Sequence, residues 1–150
     1  MFQSTPPSVR KIKRIVVHCT DTRPSVSVDH VMQIFKQRGW RNPGYHYLVK
    51  PDGSVVPILP EAEIANGAKG YNSTSVHVAY IGGRNDRNRN ECTLTPAQTE
   101  ALFTLCRDLL ERYPGAGLVS HYELNPLKGC PLFNAKAKYE QWEKKKYSTS

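Results

Sequence analysis

The segment beginning Thr95-Pro96-Ala97-Gln98 constrains the fold more than any other. A threonine followed by proline, with glutamine three positions on, is a capping box with Pro at the first helical position. Ala101, Leu102, Leu105, Cys106, Leu109, Leu110 and Tyr113 then recur on one face until Pro114-Gly115 ends the run. A helix with so broad an apolar face needs a surface to bury it against. The chain offers short β-rich runs for this: Ile12 to Cys19, Tyr45 to Lys50, Ser54 to Val56, Ser75 to Ile81 and Leu118 to His121.

Two further helices alternate with these strands. Ser27 reads as the N-cap of a helix to about Arg38, with Val28, Val31, Met32 and Phe35 at helical spacing and Gly39 at the C-cap. A last amphipathic helix runs from about Asn134 to Lys145. Asp52-Gly53 between two β-rich runs signals a hairpin. Glu61 to Ser75 reads as an irregular loop, and Arg84 to Asn90 as an exposed polar one. The pattern predicts one α/β (mixed α+β) domain over residues 11–147, a central mixed sheet flanked by helices. Residues 1–10, rich in Pro and Ser, are expected to form a flexible N-terminal arm.

A chain of 150 residues leaves little room for a second core. No apolar run approaches the roughly 18–20 residues that span a bilayer, so membrane insertion is not expected. Met1 to Pro7 lacks the apolar core of a secretory signal, so the protein is expected to be cytoplasmic as synthesised. Cys19, Cys92, Cys106 and Cys130 are accordingly expected to be thiols. The net charge of +8 favours a polyanionic partner such as nucleic acid, an acidic membrane face or an anionic wall polymer, and equally serves solubility.

His18 closes the first strand and His121 the last, where ligands gather in open α/β sheets. Cys130 follows, preceded by Lys128-Gly129. Two imidazoles and a thiolate suit zinc, with a fourth position left open. Taken alone, the same residues read as a strand-end histidine and a small buried hydrophobe. Side-chain alternation sends Cys19 away from His18, puts Tyr45 and Tyr47 on one face, and puts His46 on the other. Antiparallel pairing of the first two strands would set Tyr45 beside His18. His30 reads as a surface residue and His77 as core or rim.

Several motifs occur in fixed order: Ile15-Val16-Val17-His18-Cys19-Thr20, Gly44-Tyr45-His46-Tyr47-Leu48-Val49-Lys50-Pro51-Asp52-Gly53, Ala68-Lys69-Gly70-Tyr71-Asn72, Ile81-Gly82-Gly83, Ser120-His121-Tyr122-Glu123 and Lys128-Gly129-Cys130-Pro131. With these the chain resembles the type 2 N-acetylmuramoyl-L-alanine amidases, a family that includes the peptidoglycan recognition proteins, and within it the phage lysozymes. The resemblance implies an amidase cutting the bond between the lactyl group of muramic acid and L-alanine in peptidoglycan, a phage or prophage lysis enzyme acting on the wall after membrane opening. It implies one zinc per chain, held by His18, His121 and Cys130, and it matches Tyr45 and Lys128 to the family's two catalytic side chains. By analogy Asn66, Lys69, Tyr71 and Asn72 line the substrate groove. A monomer is expected, and the phage relatives allow a polymerase partner. A non-catalytic peptidoglycan-binding or polymerase-regulating protein of the same fold is the alternative.

Two departures stand out. The stretch between His121 and Cys130 is one residue longer than the phage pattern, with the extra residue expected to bulge at Leu124 to Leu127. Gly67 stands where relatives often carry a histidine before Ala-Lys-Gly-Tyr-Asn.

Overall fold

The computed structural model describes residues 10–147. Strands β1 (Arg14–Cys19), β2 (Tyr47–Val49), β3 (Val55–Pro57), β4 (Ser75–Tyr80) and β5 (Gly117–Ser120) form one sheet in the order β3-β2-β4-β1-β5. β1 runs parallel to β4 and β5, β2 runs parallel to β4, and edge strand β3 pairs antiparallel with β2. Helices α1 (Val28–Gln37), α2 (Pro96–Arg112), α3 (His121–Leu124) and α4 (Ala135–Tyr147), with a short 3-10 turn at Asn72–Thr74, complete the described elements. The expected mixed sheet with flanking helices is what forms. Among the described residues, no helix is long and apolar enough to cross a membrane.

Local chemistry sets the element boundaries. Ser27 Oγ accepts the His30 N–H at 3.0 Å, starting α1, and Gly39 at φ +77° turns the chain out of it. Thr95 Oγ1 accepts from the Gln98 N–H at 2.9 Å, while Gln98 Oε1 accepts from the Thr95 N–H at 3.2 Å. The Gln98 amide also donates to the Val49 and Ile81 carbonyls, so the cap of α2 ties down the ends of β2 and β4. Gly53 at φ +91° closes the β2–β3 hairpin.

The sheet is buried on both faces, as parallel strands under crossover helices are. Ile15, Val17, Val76, Val78 and Tyr80 pack under α2 and α4 against Leu102, Phe103, Leu109 and Tyr139. On the opposite face Leu48, Ala79 and Ile81 meet Val31 and Phe35 of α1. Cys19 is core, as alternation from His18 requires. All four cysteines are free.

Several expectations are corrected. β1 and β2 do not pair: β4 lies between them, and all three run parallel. The intervening α1 is the reason, since a helical crossover returns the chain in the same direction. Tyr45 and Tyr47 do not share a face. The chain bends at His46 and β2 begins only at Tyr47, so Tyr47 enters the α2 side while Tyr45 packs with α1. His121 is not part of the last strand; it opens α3. Residues 1–9 of the expected arm lie outside the described residues. Arg10 donates to the Glu61 carbonyl at 2.7 Å and to the Ser75 carbonyl at 3.1 Å.

Two buried polar anchors hold the segment after β3. The carboxylate of Glu61, 2% exposed, accepts from Tyr113 Oη at 2.6 Å and also from Tyr47 Oη and Arg112. His46 donates from Nε2 to the Glu63 carbonyl at 2.8 Å and accepts the His77 N–H at Nδ1 at 3.0 Å. Burial lowers His46 to about 4.

Replacing Glu61 with Ala leaves the Arg112 guanidinium unpaired and is expected to cost about 3–5 kcal/mol, read as a lower denaturant midpoint at unchanged slope. A loss within about 0.5 kcal/mol, typical of a surface substitution, would contradict this placement. The depressed His46 value gives the sign of a pH effect. Between its ordinary value near 6.5 and about 4 the unfolded chain takes up a proton that the folded chain refuses. Stability is therefore full above about 6.5 and falls by up to about 1.4 kcal/mol per pH unit below it. Denaturation of the metal-free protein at a series of pH values checks this, and a flat profile would contradict it.

Candidate metal centre and its cleft

Parallel pairing delivers the first two donors together. The β1–β5 register ends at Val17↔Ser120, so the next residues, His18 and His121, emerge side by side. Their rings lie 4.5 Å apart between centroids. After α3 the chain turns back: the Lys128 N–H donates to the Asn125 carbonyl at 2.9 Å and the Tyr122 N–H to the Cys130 carbonyl at 3.0 Å. The Cys19 N–H donates to Cys130 Sγ at 2.8 Å, fixing the sulfur at the end of β1. One ligand atom from each of His18, His121 and Cys130 lies within 4.8 Å of the other two.

This donor set fits zinc. Burial holds His18 well below its ordinary value; burial and then the nearby Lys128 ammonium lower His121. Both imidazoles are therefore neutral near pH 7, with lone pairs to give. Burial pushes the Cys130 thiol up, a preference that a bound cation reverses by deprotonating a coordinating thiol. Two nitrogens and one sulfur from the protein match a tetrahedral zinc site with one open position.

The three donors lie in the wall of a cavity of about 350 Å³. Gly44, Tyr45, Phe35 and Trp40 form part of its lining, with Leu127, Lys128 and Leu132 elsewhere in it. Tyr45 packs on His18 with centroids 4.9 Å apart, and its hydroxyl donates to the Cys19 carbonyl at 3.3 Å. Burial raises the Tyr45 phenol well above its ordinary value, so it remains a hydrogen-bond donor. In the Asn125–Lys128 turn between His121 and Cys130, Leu127 is 93% exposed while Lys128 lines the cavity.

The residues assigned to the substrate groove divide. Asn66 lines the cavity and donates to the Asn42 carbonyl at 2.8 Å. Lys69, Tyr71 and Asn72 lie outside that lining. Tyr71 sits under the Arg14 guanidinium, 5.1 Å from ring to carbon. Asn72 points inward, its Oδ1 accepting the Ala68 N–H at 2.8 Å.

Sequence reasoning missed three features. Trp40 follows the Gly39 cap and so falls outside the periodic face of α1, yet it stacks on Phe35 and under Arg38 at the cleft. The 84–90 loop is exposed as read, but Arg84 pairs with Asp21 at 3.1 Å and Asn90 donates to Asp21 Oδ1 at 2.8 Å, closing one rim. His77, read as core or rim, is core, and the unforeseen feature is its contact with His18, Nδ1 to Nε2 at 2.8 Å. A polar residue inside a strand buried on both faces was the available signal.

A family model described as N-acetylmuramoyl-L-alanine amidase matches residues 8–133. The endolysin of Escherichia phage T7 is 41% identical over 138 residues, covering 91% of this chain and 89% of that protein. The endolysin of Enterobacteria phage T3 is 39% identical over the same shares. The solved structure of N-acetylmuramoyl-L-alanine amidase LysC from Clostridium intestinale URNW is similar with a TM-score of 0.75 at 26% identity, covering 100% of this chain and 95% of that one. With its parallel strand ends, its cleft and these matches, the chain belongs to the N-acetylmuramoyl-L-alanine amidase family.

Proposed function

We propose that this protein is a zinc-dependent N-acetylmuramoyl-L-alanine amidase of a phage or prophage, which hydrolyses the amide between the lactyl group of muramic acid and L-alanine in peptidoglycan. One zinc per chain is held by His18, His121 and Cys130. The observation that carries this reading is the convergence of those three donors within 4.8 Å, in a cavity that also receives Tyr45 and Lys128. The family and its phage endolysin members support the substrate and the lytic role. Residues 11–147 are the catalytic domain and act as a monomer. The enzyme is made in the cytoplasm and reaches the wall once another protein has opened the membrane.

Zinc held by His18, His121 and Cys130 would supply Lewis acidity, the chemistry that makes a hydroxide-like nucleophile available near neutral pH. The chain's own groups do the rest. As water adds to the carbonyl carbon, negative charge grows on the carbonyl oxygen. We assign the Lys128 ammonium and the Tyr45 hydroxyl, both in the cavity lining, as the donors that hold it, and removing one such donor typically costs about 10²–10³-fold in rate. When the carbon–nitrogen bond breaks, the departing amine of L-alanine must gain a proton, and a positioned donor supplies that step. Phe35 and Trp40 contribute apolar wall to the cavity beside the donors. Asn66 offers a polar edge to the substrate.

Elemental analysis is expected to find about one zinc per chain in the wild type and a sharp fall in Cys130→Ala, following the three-donor requirement. Equal zinc in both removes Cys130 from the site. Zymography on purified sacculi tests the reaction: the wild type is expected to release L-alanine-terminated peptides, and a chelator to stop it. Tyr45→Phe and Lys128→Met should retain zinc while losing about 10²–10³-fold in turnover. Zinc-loaded wild type that binds sacculi but releases nothing would make this a binding protein.

A further inference from the structure

His77 has no part in the proposed reaction, yet it is fully buried against a proposed zinc ligand. Its protons can be assigned from the backbone outward. The Ala68 N–H donates to Asn72 Oδ1 at 2.8 Å, so the oxygen of that amide, and not its nitrogen, occupies the position. His77 Nε2 lies 2.9 Å from the same oxygen. An amide oxygen carries no proton, so His77 Nε2 must supply one. With its proton on Nε2, the ring has a lone pair on Nδ1, and that nitrogen sits 2.8 Å from His18 Nε2. His18 must then carry its own proton on Nε2, which leaves His18 Nδ1 as the nitrogen with a free lone pair.

We infer that His77 is a positioning residue: held by Asn72, it accepts the Nε2–H of His18 and so presents His18 Nδ1 to the metal. Such outer partners fix the tautomer and the ring plane of a ligating histidine. His77 also explains Gly67. Gly67 is not among the residues at positive φ, so no backbone conformation requires it. Space does: a Cβ there would lie 2.4 Å from His77 Nδ1 and 2.6 Å from Cγ. Positions 67 and 77 therefore share one volume beside His18, and only one side chain fits. In this chain β4 delivers the imidazole, and the loop gives way to it.

The inference rests on His18 being a zinc ligand, and the experiment separates the two. Zinc uptake by the wild type comes first, and its absence would overturn both. Nitrogen-15 NMR of the zinc-loaded wild type then reads the tautomers directly. The expected result is protons on Nε2 of both His18 and His77, with His18 Nδ1 unprotonated. Zinc uptake with the His18 proton on Nδ1 would overturn the role of His77 and leave the zinc site standing. His77→Phe keeps the volume but removes the acceptor, and chelator competition should show zinc bound about 10–100-fold more weakly. Gly67→Ala, which pushes on the His77 ring without altering it, should weaken zinc in the same direction. Unchanged zinc affinity in the folded Gly67→Ala protein, or in folded His77→Phe, would overturn the inference.

Discussion

Parallel hydrogen bonding of β1 to β4 on one side and to β5 on the other sets where every group of the site can stand. Six consecutive pairs, from Arg14↔Ser75 to Cys19↔Tyr80, hold β1 level with β4, and the β5 register ends one residue short of His18. Parallel strands finish at the same edge of a sheet, so the segments leaving them start close together. That shared edge is why His18 meets His121 and Cys130, which come more than a hundred positions later in the chain. A single-residue slip of β5 against β1 would turn its side chains to the other face and carry the following His121 away from His18.

The same arrangement forces polar chemistry into the interior. His18, His46, His77, Ser75 and Ser120 are all buried, and each is paired. Ser120 accepts the Ala135 N–H at 2.8 Å, joining the end of β5 to the start of α4. Buried polar groups left unpaired cost about 1–3 kcal/mol each, so a connected set is self-enforcing. Here the connections run from the loop at Ala68 through Asn72 and His77 to His18. A rigid donor set costs less to organise when a cation or substrate arrives, because the ordering has been done during folding.

Much of this was legible in the residue order. The Ser27 cap, the Thr95 capping box and the glycine stops located α1 and α2 to within a residue or two, since those signals act over a single turn. The Asp52-Gly53 hairpin was legible for the same reason. Local patterns did not reveal strand partners. Short β-branched runs look alike whichever neighbour they take, and β4, placed between β1 and β2, comes later in sequence than both. Alternation placed Cys19 correctly inside a regular strand and misled between Tyr45 and Tyr47, where a bend at His46 resets the period. The wall formed by Phe35, Arg38 and Trp40 was hidden because ring stacking joins residues on either side of a helix end.

By itself the sequence determined the kinds of group available: two imidazoles, a thiol before proline, a tyrosine and a lysine in motifs that mark an amidase. Composition and local signals suffice for that, because side-chain chemistry and turn preference belong to residues and their near neighbours. Only the tertiary structure decided which nitrogen of His18 is free, why position 67 holds no side chain, and which candidate groove residues face the cavity. Those depend on distances of two to five ångströms between segments far apart in the chain, and such distances exist only once the sheet has closed its register.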